Sequence, residues 1–70
     1  MKRNVAIPLM DLLTALGEPL NRAAQLIEQI EDEEERKTFR EGIGGIMAHI
    51  FTDLEFPIIR QYPELDPDKE

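Results

Sequence analysis

Seventy residues carry fifteen Asp and Glu against eight Lys and Arg, for a formal charge of −7, and contain no cysteine. A chain this short buries only about 60% of its unfolded surface, so it is marginal without a disulfide, a metal or a partner subunit, and the missing thiols remove the first of these. The acidic balance argues against a nucleic-acid partner, because affinity for phosphates rests on Lys and Arg. Absent cysteine fits a reducing, cytoplasmic setting.

The opening MKRNVAIPLMDLL sets two bases before an apolar stretch, as a secretion signal does, but Pro8 and Asp11 interrupt it. It is therefore read as mature sequence. Residues 1–7 are expected to form a loose arm. Pro8 suits a first helical position and Gly17 the residue after a helix end, which predicts a short helix over 8–16. Leu20, Ala23, Ala24, Ile27 and Ile30 then recur at three- and four-residue steps, which predicts a helix over 19–30.

EDEEER follows, and its composition alone suggests a loop. Asp32 with Glu35 three residues on has the spacing of a capping box, and acids are favoured in a first helical turn, so the run reads as a helix start. Glu33 with Lys37, and Lys37 with Glu41, stand one turn apart as weak ion pairs. Phe39, Ile43, Ile46, Met47, Ile50, Phe51 and Leu54 mark the main helix, predicted over 33–55 and covering an arc of about 140°. It is expected to end before Pro57, because the residue preceding proline is pushed out of the α region. A short turn over 57–62 and a disordered acidic tail over 63–70 complete the chain. No run of apolar residues approaches the roughly 18–20 that span a bilayer, so no membrane partner is expected.

Gly42, Gly44 and Gly45 sit inside the main helix, and each glycine costs about 1 kcal/mol there relative to alanine. The apolar residues on both sides keep one helical phase, so the helix is expected to run through without a break. Bare backbone at Gly42 and Gly45 then allows a neighbouring helix to come close, within the chain or from a second copy. The fold expected is all-α: a helical hairpin of two main helices with short flanking ones, completed as a homodimeric four-helix-type bundle. Gly42, Ile43, Gly45, Ile46, Met47, His49, Ile50 and Leu54 are the candidate helix-crossing residues. Phe51, Phe56, Ile59 and Tyr62 are the candidate surface for a further protein partner.

Chemistry is sparsely supplied. Serine and cysteine are absent, and no base is placed by spacing near Thr14 or Thr38, so no catalytic residue is assigned and no enzyme is expected. His49 and Asp53, four apart, could share a metal, but two ligands make no site, and the simpler expectation is a hydrogen bond between them. Glu31 to Glu35 contain a spacing that resembles the Mg²⁺-binding acids of all-helical nucleotide pyrophosphohydrolases, whose second Glu-x-x-Asp this chain lacks. No metal or cofactor is expected. LLTALGEPLNRAAQLI resembles, over about ten residues, the opening helices of the ArsR-type winged-helix repressors, without their basic recognition helix or glycine-tipped wing. The function expected is a non-enzymatic protein-interaction or adaptor module. The alternative is an acidic mimic of nucleic acid that blocks a basic protein, against which the clustering of the acids counts; a carboxylate-metal hydrolase ranks third.

Overall fold

The computed structural model describes residues 1–67 and is helical nearly throughout them, with no strand among the described residues. Helix α1 spans Arg3–Ala15, α2 Gly17–Ile27, α3 Glu33–His49 and α4 Phe56–Gln61. A π-helical stretch, Ile50–Glu55, joins α3 to α4, and a 3₁₀ turn covers Pro63–Leu65. Together α3, the π stretch and α4 make one unbroken helix of 29 residues. At 1.5 Å per residue it is about 43 Å long, which sets the longest dimension of the molecule, 46 Å. Helices α1 and α2 lie against this rod in succession, α2 on its first half and α1 beside the π stretch.

The N-terminal segment is not a loose arm. Its helix begins at Arg3 and carries Pro8 within it. Ala6, Leu9, Met10 and Leu13 stand at i, i+3, i+4 and i+7 on one helical face, and burying that face offsets the backbone bond that Pro8 cannot donate. Gly17 does not end the helix in a left-handed conformation, since no described residue has positive φ. Leu16, at φ −66° and ψ −20°, is the single residue between α1 and α2.

The start of α3 follows the sequence expectation. The Asp32 carboxylate accepts the Glu35 backbone N–H at 2.9 Å, and Glu33, Glu34 and Glu35 occupy the first turn. The turn between α2 and α3 is held by side chains: Arg36 donates to the Ile30 carbonyl at 3.0 Å, and Arg40 Nε donates to Glu28 Oε2 at 2.9 Å. The Arg40 hydrogen bond holds the Glu28 carboxyl below its ordinary pKa.

The main helix does not stop before Pro57. Phe56 keeps helical angles, φ −60° and ψ −44°, and donates its N–H to the Phe51 carbonyl five residues back. Proline in a regular helix collides with the carbonyl four residues earlier, here that of Asp53. Widening the coil through Ile50–Glu55 relieves that collision and lets the rod continue. The wider turn also takes up about one extra residue, which rotates everything downstream back by about 100°. In an uninterrupted α-helix Ile58 would lie about 80° round from Ile50. The π stretch brings the two back into line, and Ile58 becomes the most enclosed large side chain, 2% exposed.

Ile58 meets Ala6, Met10 and Leu13 of α1 in a small core, with Leu9, Ile50, Ile59, Tyr62 and Leu65 packed round it. The two ends of the chain close over it. Tyr62 donates its hydroxyl to the Met1 carbonyl at 2.6 Å, Arg3 stands over the Tyr62 ring at 4.7 Å, and Arg3 pairs with Glu64 at 2.6 Å. The sequence predicts a disordered acidic tail from residue 63; Pro63–Leu65 instead forms the 3₁₀ turn, and 68–70 lie outside the described residues.

Candidate functional site: an apolar groove along the rod

Helix α3 runs straight through its glycines, as its apolar phase requires. A Cβ placed on Gly42, Gly44 or Gly45 would meet nothing within 4 Å. No neighbouring backbone of the same chain therefore presses on this bare patch, and the glycines do not serve a crossing inside the hairpin.

What lies beside Gly42 is a groove of about 440 Å³ between α2 and α3. Leu20 and Ile27 form its α2 wall; Phe39, Gly42, Ile43 and Ile46 form its α3 wall, with Thr38 at one edge. The Thr38 hydroxyl donates to the Glu34 carbonyl at 3.0 Å, so the groove presents little free polarity. Phe39 and Ile46, each 54% exposed, stand open to solvent on its rim. For three of the groove residues, Leu20, Ile27 and Phe39, the periodicity predicts only a place on a helix face. Their role depends on how far α2 leaves α3 uncovered, which periodicity does not encode.

The other candidate residues separate into two groups. Met47 and Ile50 are half-buried and line a smaller groove of about 150 Å³ with Leu13, Leu16, Leu20 and Phe51. Gly45 and Leu54 are exposed. His49 is exposed as well, its Nδ1 3.0 Å from an Asp53 carboxylate oxygen, the hydrogen bond expected from their spacing. Among the described residues no three acids or histidines converge in a way that could hold a metal ion.

The proposed partner surface divides. Phe51 and Phe56 are exposed, with ring centroids 6.0 Å apart and planes tilted by 34°. Residues five apart point about 140° away from each other in a regular helix, so this aromatic pair is a product of the π stretch. Ile59 and Tyr62, by contrast, are half-buried against the α1 core and are taken up by the chain itself.

The exposed apolar surface has a second consequence. Averaged over 18 residues the Glu33–Gln61 helix reaches a mean hydropathy of 1.2, long and apolar enough by length and composition to cross a membrane. The expectation that no segment comes near that limit does not hold for the average, although Asp53, at the centre of a bilayer, would cost roughly 2.5–3.5 kcal/mol. Only 6% of that window is buried.

No family model, no curated protein and no solved structure matches this chain.

Proposed function

We propose that the chain is a non-enzymatic protein-interaction module that works as a homodimer, two helical hairpins completing a four-helix-type bundle. The observation that carries this reading is an unfinished core. Among the described residues only Ala6, Met10, Leu13 and Ile58 are buried hydrophobics, while Leu12, Leu26, Phe39, Ile46, Phe51 and Leu54 are roughly half exposed or more. Contiguous exposed apolar surface, here Phe39 and Ile46 on one groove and the Phe51–Phe56 ring pair, supports an interaction site. The Cα radius of gyration, 14.8 Å, also exceeds the roughly 11 Å of a compact 70-residue domain. Self-association covers the groove side, and the Phe51 and Phe56 rings remain as a surface for a further protein.

Thermal unfolding at two concentrations tests this. Association stabilises the folded state by mass action, so the unfolding midpoint should rise between about 1 and 100 μM chain. A midpoint that stays fixed over that range contradicts the homodimer.

A further inference from the structure

The α3 wall of the groove has a pattern that specifies its occupant. Phe39, Gly42, Ile43 and Ile46 stand at i, i+3, i+4 and i+7, the four corners of the hole that one helix offers to a side chain of a facing helix. One corner is glycine, so the hole is open on that side, with nothing within 4 Å of an added Cβ. The area available matches a second copy. The molecule exposes 5450 Å² against about 4,500 Å² for a compact monomer of 8.1 kDa. The surplus is of the order of the 800 Å² that each partner contributes to a standard interface.

Resting on the homodimer reading above, we infer that the groove receives the partner subunit's Ile46, in an antiparallel two-fold crossing of α3 helices centred between Gly42 and Ile46. In this arrangement Gly42 lies opposite the partner's Ile46 and Phe39 opposite the partner's His49, so each large side chain meets a smaller or flat one. A parallel crossing would instead set Gly42 against glycine and Ile46 against isoleucine, leaving a void beside a clash. The crossing is short because α1 lies beside the rod from Ile50 onward. Gly44, about 160° round the helix from Gly42, faces away from it.

Light scattering at micromolar concentration on Gly42→Leu, Gly44→Leu and the double variant Gly42→Leu/Ile46→Ala tests the geometry, with far-UV circular dichroism as the check on folding. Neither glycine has a close neighbour in the chain, so both single variants should keep or gain helicity. Gly42→Leu should weaken self-association about tenfold or more, Gly44→Leu should leave it unchanged, and the double variant, which restores large against small, should recover it. Retained self-association in Gly42→Leu, or loss of it in Gly44→Leu as well, overturns the crossing while the homodimer reading stands. A wild-type chain that is monomeric overturns both.

Discussion

Ile58→Ala is expected to remove most of the stability of this protein. The side chain is 2% exposed and is the piece of the rod that α1 packs against. Truncating a buried isoleucine costs about 2–5 kcal/mol, because the transfer energy is lost and a cavity remains. A domain of this length has about 3.5–10 kcal/mol to lose at the usual stability per residue. Urea titration should therefore show a large fall in the unfolding midpoint or no cooperative transition at all. Leu12→Ala is the matching control: Leu12 is 68% exposed, and its truncation should stay within about 0.5 kcal/mol. Equal effects at the two positions would mean that α1 is not docked on Ile58.

Ala6→Leu should be the next most damaging change, for the opposite reason. Ala6 is wholly enclosed where α1 meets Ile58, in a cluster with Met10 and Leu13 of the same helix. Leucine is as good a helix former as the chain needs there, so any loss reports on space alone. Three extra carbons in a filled site force side chains off their rotamers or push α1 away, at a cost of about 1–3 kcal/mol. The unfolding midpoint should fall. A rise would show that the space around Ala6 is not filled.

These two residues also mark where the sequence was hard to read. The helix start at Asp32 and the continuous phase through Gly42–Gly45 were legible, because capping chemistry and a 3.6-residue period are local signals. The face formed by Ala6, Leu9, Met10 and Leu13 was present in the sequence too. It was masked by Pro8, which reads more naturally as a helix start than as a tolerated interior residue. The π stretch left no compositional trace. Rules for proline end the helix at Phe56, whereas tertiary packing of Ile58 and Tyr62 on α1 makes a widened turn the better solution. As a result Ile59 and Tyr62 belong to the core, and the Phe51 and Phe56 rings meet five residues apart.

For the groove, sequence gave the α3 stripe and its bare glycine, but not which flank α2 would leave open. That depends on where the short turn at residues 28–32, clamped by Arg36 on the Ile30 carbonyl and Arg40 on Glu28, sets α2 down. The side chains that line the groove carry no charge. A chain of charge −7 repels its copy, so an interface made at an uncharged groove is expected to tighten as salt screens that repulsion.

The central claim is that the rod's uncovered side is completed by a second copy, and the molar mass of the native chain in solution tests it most directly. Sedimentation equilibrium at tens of micromolar should return twice 8.1 kDa. A single species of 8.1 kDa at that concentration, in low and in high salt, would contradict it.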